Sequence, residues 1–218
     1  MTRIIMRNYK CAICGKESGQ KVMLSSHSFG YPDLDFRPAR ALGGLPLYNI
    51  MECTSCGYCN RDLDELKFKD VARIVKSDEY QDLRKKLKGS RASKFFLSAY
   101  LDDYNENYNT AWLSYLNAAW CYDDSYDSLM SDVSRKKAID DLLKTAYKES
   151  FNRCAILVDM LRRVREFEKA IVYCDEFLKT FKDKENVKIF KVQKELCEAK
   201  DSKIHTTGLL IDKENDNK

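Results

Sequence analysis

Histidine is nearly missing from this chain of 218 residues, with only His27 and His205 present. That leaves little material for general acid–base catalysis. Glycine is also scarce, at eight residues, and none forms a phosphate-cradling loop or a nucleophile elbow. Proline occurs three times, at Pro32, Pro38 and Pro46, and not again. A chain free of proline from there on suits a long helical region. No apolar run is long enough to cross a bilayer, and the opening "MTRIIMRNYK" is too short and too polar for a secretory signal. These absences point to a cytoplasmic, non-membrane protein with reduced thiols and weigh against an enzyme.

What the chain does hold is nine cysteines. In a reducing compartment these indicate metal binding or buried thiols, not disulfides. "CAICG" at 11–15 and "CTSCG" at 53–57 share one pattern, two cysteines two residues apart and then glycine. The spacing lets both sulfurs face one point across a tight turn, and the glycine accepts the positive φ such a turn often needs. Two such knuckles supply four thiolates, the donor set of one closed structural Zn²⁺ site. Cys11, Cys14, Cys53 and Cys56 are therefore the expected ligands. Iron fits the same donors, with zinc as the default. Cys56 and Cys59 also form C-x-x-C, but asparagine follows, so Cys59 is read as the spare thiol. His27 is read as a polar loop residue, and Cys121, Cys154, Cys174 and Cys197, on apolar stripes, as buried thiols.

The knuckles are 38 residues apart, whereas zinc ribbons commonly separate theirs by about 15–20. The excess includes "SSHSFGYPDLDFRPARALGG". In it Tyr31, Asp35, Phe36, Arg37 and Arg40 form the candidate partner or anion contact, beside a plainer reading as a loop stapled down by ion pairs and aromatic anchors. The segment from Gly30 to Pro38 is expected to fold back on the helical half. On an extended strand, Asp35 and Arg37 would point away from Phe36, toward solvent or a polar partner.

Residues 1–60 read as a small β module, with strands at "KVMLSS" and "LPLYNIMEC". From Asp62 the apolar period becomes helical, through Leu63, Leu66, Val71, Ile74, Val75, Leu83 and Leu87. Further stripes run over Phe95–Tyr104, Tyr108–Tyr122, Val133–Phe151, Cys154–Val164, Phe167–Phe181 and Val187–Ala199. The expected fold is mainly α: a zinc-ribbon-like module at 1–60, a tetratricopeptide-like domain of antiparallel helical hairpins at 61–203, and a frayed tail at 204–218. The repeat signal is faint. Ala138 and Ala170 are 32 residues apart on matching helices, near the tetratricopeptide period. Arg165 stands where that family often has glycine, and the first unit needs "DDSYDSLMSDVS" as an inserted loop.

Taken in order, "CAICGK", "PDLDFRP", "CTSCGYC" and "LRRVREFEKAIVYCDEFL" resemble an uncharacterised bacterial family that joins a four-cysteine zinc module to tetratricopeptide-like repeats. The resemblance spans about residues 10–200 and implies architecture and zinc, with Cys11, Cys14, Cys53 and Cys56 as ligands. It implies no catalytic residues.

Charge adds one more candidate. The net charge of +4 is small, but Arg84, Lys85, Lys86, Lys88, Arg91 and Lys94 form a run without an acid. It is either a solvated basic face or a nucleic-acid contact. The carboxylates Asp102, Asp103 and Glu106 read as surface charge. The leading expectation is a zinc-stabilised scaffold for a protein or peptide; the alternative is a nucleic-acid-binding protein that uses the ribbon and the basic run.

Overall fold

The computed structural model describes residues 3–25, 29–39 and 49–210. It is mainly helical, with a small β region at the N-terminal end. The chain divides into two compact units, one formed by residues 1–27 and 42–141, the other by 28–41 and 142–218. The boundary read at 60/61 falls inside the first unit, because the helices that follow the second cysteine pair are bonded to it.

In the first unit, β1 (Arg3–Lys10) and β2 (Glu17–Ser25) form an antiparallel hairpin. β1 was not foreseen: the strand-like apolar runs read in the sequence were "KVMLSS" and "LPLYNIMEC", and neither covers Arg3–Lys10. The much shorter β3 (Met51–Glu52) and β4 (Cys59–Asn60) form a second hairpin. Of "LPLYNIMEC", residues 45–48 lie outside the described residues, and β3 covers only its end.

The helical stripe read from Asp62 is not helical at its start. Tyr58 is fully buried. Its hydroxyl donates to the Glu65 carbonyl (2.7 Å) and accepts from the Lys67 amide (2.8 Å). The chain wraps around that phenol, and backbone groups bound there cannot join a helical ladder. Helix α1 (Val71–Val75) begins later, and α2 (Asp78–Leu87) follows once the Ser77 hydroxyl caps the Tyr80 amide. Then come α3 (Ser93–Tyr104), α4 (Tyr108–Asp124) and α5 (Ser128–Leu143). The "inserted loop" is thus the end of α4, a short turn and the start of α5. Asp123 holds the two helices together: its carboxylate accepts both terminal nitrogens of the buried Arg135 (2.5 and 3.1 Å) and the Ser131 hydroxyl (2.7 Å).

The second unit contains a 3₁₀ turn at Tyr147–Glu149, then α6 (Phe151–Arg163), α7 (Phe167–Thr180) and α8 (Lys184–Glu198). Ser150 caps α6 and breaks the stripe read as continuous from Val133 to Phe151. Phe151, Phe177, Phe181 and Phe190 form one aromatic cluster, with centroids 5.4–6.4 Å apart. Residues 29–39 belong to this unit. The Leu34 amide donates to the His205 carbonyl, Asp33 bridges to Thr206, and the Phe36 ring lies 6.3 Å from that of Phe151.

Four helices end in one way. After α3, α4, α6 and α8 the chain turns through Glu106, Tyr126, Arg165 and Lys200, all at positive φ (53–66°). In each, the next amide reaches back five residues: Asn107 to Asp102, Asp127 to Tyr122, Glu166 to Leu161, Asp201 to Leu196 (2.8–3.0 Å). This is the Schellman ending, usually made by glycine. No glycine occupies any of these positions. A β-carbon in this region costs about 1–2 kcal/mol. Glycine would regain that, less about 0.4–1 kcal/mol of unfolded-state entropy. Tyr126 is the cleanest test because its side chain is 95% exposed. Tyr126→Gly is expected to stabilise the protein by about 0.5–1 kcal/mol, read as a higher urea midpoint; an unchanged or lower midpoint refutes the assignment.

Candidate metal centre

Each cysteine pair forms the tip of a hairpin. Between β1 and β2 the Cys11 amide donates to the Lys16 carbonyl (2.9 Å), and the Gly15 amide to the Cys11 carbonyl (2.8 Å). Between β3 and β4 the pattern repeats, Cys53 to Tyr58 and Gly57 to Cys53, both 2.8 Å. Gly15 and Gly57 have φ of 69° and 80°, the conformation the sequence reserved for glycine.

The hairpins bring their sulfurs together. Cys11 Sγ lies 3.6 Å from Cys56 Sγ and Cys14 Sγ 3.6 Å from Cys53 Sγ, and all four lie within 4.8 Å of one another. A tetrahedral ion with metal–sulfur bonds of about 2.3 Å has sulfur–sulfur edges of about 3.8 Å. The cluster fits a four-thiolate metal site. The surroundings treat the thiols unequally. The Lys16 amide bond draws Cys14 down to about 7, while burial pushes Cys11 and Cys56 up. Four adjacent thiolates need a cation to coexist, so binding would release protons. Cys59 stays outside the cluster. It is buried, and its thiol points to the Gly57 carbonyl (3.3 Å).

Other expected site residues fall elsewhere. Tyr31, Asp35, Phe36 and Arg37 all belong to the second unit; Arg40 and His27 lie outside the described residues. Asp35 and Arg37 do not face solvent: they are 1% and 5% exposed. The segment is no extended strand. The Asp33 amide bonds the Arg37 carbonyl, the Phe36 amide bonds the Asp33 carbonyl, and Phe36 takes a φ of 59°. That tight loop turns both charged side chains inward.

The basic run also divides. Arg84 is committed internally: its Nε donates to Glu52 (3.0 Å) and its terminal nitrogens to the Thr54 and Ser55 carbonyls (3.1 and 3.3 Å). Lys85 pairs with Asp82 (2.8 Å) and Lys94 lies 5.6 Å over the Phe95 ring. Lys86, Lys88 and Arg91 remain exposed at the α2–α3 corner. Glu52, Arg84, Lys85, Lys88 and Leu97 line an open cavity of about 510 Å³ there. Asp102, read as surface charge, is buried against Lys67. No sequence signal marked Lys67 as its partner, since 34 residues lie between them. Cys154, Cys174 and Cys197 are buried as expected, and Cys121 is only partly so. No described helix is long and apolar enough to cross a membrane.

Comparison of the chain with protein-family models, with curated proteins and with solved structures gives no match.

The two glycines offer a matched test. A β-carbon on Gly15 would meet nothing within 4 Å, while one on Gly57 would come 2.4 Å from Arg84 Cδ and Nε. Gly15→Ala is expected to cost only the positive-φ strain, about 1–2 kcal/mol. Gly57→Ala is expected to cost clearly more, because the Arg84 bonds must also shift. Equal losses on urea unfolding would contradict this packing.

Proposed function

We propose that Cys11, Cys14, Cys53 and Cys56 hold one structural zinc ion in a zinc-ribbon-like module, and that the helical hairpins serve as a tetratricopeptide-like scaffold for a protein or peptide partner. Four thiolates complete a tetrahedron, which leaves zinc no open position for water and gives it a structural role. The resemblance to the zinc- and repeat-containing bacterial family agrees with this reading.

One observation carries the interaction half. Tyr126, Leu129 and Val133 are 95%, 73% and 36% exposed around the α4–α5 turn. Leu129 and Val133 are one helical turn apart, so they share a face of α5. Clustered apolar side chains left in water mark a contact surface. The nucleic-acid alternative keeps Lys86, Lys88 and Arg91 but loses Arg84, whose donors are already engaged.

Elemental analysis of protein purified without chelator is expected to give one zinc per chain; absence of metal refutes the centre. Cys→Ser at position 11, 14, 53 or 56 should abolish zinc binding and unfold the hairpins, since structural zinc contributes roughly 10–16 kcal/mol in small zinc peptides. Cys59→Ser should retain it.

For the partner, a tagged pull-down from the native cell is run with and without nuclease, beside the double variant Leu129→Glu, Val133→Glu. A protein retained after nuclease and lost in the variant is the expected result. Material that disappears with nuclease and weakens steeply with salt would favour the alternative.

A further inference from the structure

The two knuckles share a backbone turn but not its support. On the second, five consecutive carbonyls accept from side chains of α2: Cys53, Thr54 and Ser55 from Arg84, Cys56 from Gln81 (3.0 Å) and Gly57 from the Tyr80 hydroxyl (2.7 Å). Positions 80, 81 and 84 lie on one helical face. Arg84 is fixed in turn by Glu52, on the strand that leads into the knuckle (3.0 Å). Gly57 leaves the gap that its guanidinium fills.

The first knuckle has no such clamp. Its outside backbone bond runs from Ala12 to the Leu63 carbonyl (2.8 Å), and no side chain among the described residues takes the carbonyls of Ala12, Ile13 or Cys14. Around Gly15 there is open space. Cys14 is more open to solvent than Cys11 and Cys53, which are buried.

We propose that the metal centre is built in two unequal halves. Helix α2, chiefly through Arg84, holds the Cys53–Gly57 knuckle in its ligand conformation before metal arrives. The Cys11–Gly15 knuckle is closed by the metal and opens first when the metal leaves. The proposal rests on the assignment of these cysteines as metal ligands. Arg84 is a positioning residue: it touches the backbone that carries two ligands, not the ion. Its charge also offsets part of the net negative charge that four thiolates leave on a divalent ion. Loss of groups that orient metal ligands typically lowers metal affinity 10–100-fold.

The test uses the full chain with its zinc content measured first. A chain that never binds zinc overturns the ligand assignment itself, and the proposal with it. With zinc bound, EDTA is added, iodoacetamide is pulsed, and the labelled cysteines are mapped by mass spectrometry. Cys14 and Cys11 should label before Cys53 and Cys56. In metal-free protein the amides of Thr54–Gly57 should exchange more slowly than those of Ile13–Gly15. Arg84→Gln should weaken zinc 10–100-fold in chelator competition and erase the labelling order. Arg84→Lys, which keeps the charge without the fork, should restore only part, and Lys88→Gln should change nothing. Equal or reversed labelling in the wild type overturns the proposal, as does unchanged affinity in a folded Arg84→Gln. Should that variant lose its helical circular dichroism, the wild-type labelling and exchange decide the matter.

Discussion

Four sulfur atoms, delivered by two hairpins 38 residues apart in sequence, must meet within 4.8 Å, and the first unit is organised around meeting that demand. Neither hairpin is secure alone. A two-stranded ribbon is marginal in water, and β3 and β4 contribute only two residues each. Support comes from outside the strands. The buried Tyr58 phenol gathers the chain after the second knuckle, and Ala12 bonds the Leu63 carbonyl in that same stretch. Lys67, half-buried, pairs with the buried Asp102 of α3. An ion pair so removed from water is costly to break from one side, so it fixes where that stretch lies against the helix.

A second economy appears in the helices. Helix ends that glycine usually makes are here made by Glu106, Tyr126, Arg165 and Lys200. Each carries local strain, which persists only where the surroundings over-determine the conformation. The surroundings do so with polar bonds. Asp123, on the last turn of α4, is gripped by Arg135 and Ser131 just ahead of Tyr126. Arg162, on the last turn of α6, binds Asp159 (2.5 Å) and the carbonyls of Asp201 and Lys203 (2.7 and 2.8 Å). One guanidinium thereby fastens the chain beyond the Lys200 turn to α6.

The cysteine geometry was legible because the motif is local: the C-x-x-C-G spacing and its glycine determine the turn without reference to the rest of the chain. Most helices were legible from apolar period for the same reason. What escaped depended on distant partners. Nothing near Arg84 in sequence reveals that its donors are taken by residues 52–55, and a run of basic residues looks alike whether solvated or engaged. Asp35 and Arg37 were misplaced because strand alternation was applied to a loop closed by its own backbone bonds. The break after Asp62 was hidden because Leu63 and Leu66 fit a helical stripe, while the deciding group was a phenol before it.

The long inter-knuckle connection acquires a structural reason from the division of the chain. Beyond β2 the described residues 29–39 belong to the second unit, and the second knuckle belongs to the first. Leu34 and Asp33 then pair with His205 and Thr206, near the other end of the described chain. Contacts between such distant positions form only after loop closure has been met, which slows folding. The cysteine cluster likewise joins positions on either side of that excursion. The cysteine knuckles and the aromatic segment around Phe36 are therefore not independent modules in sequence: each interrupts the other, and a deletion in the connection removes part of the second unit's fold as well as the spacing between the cysteines.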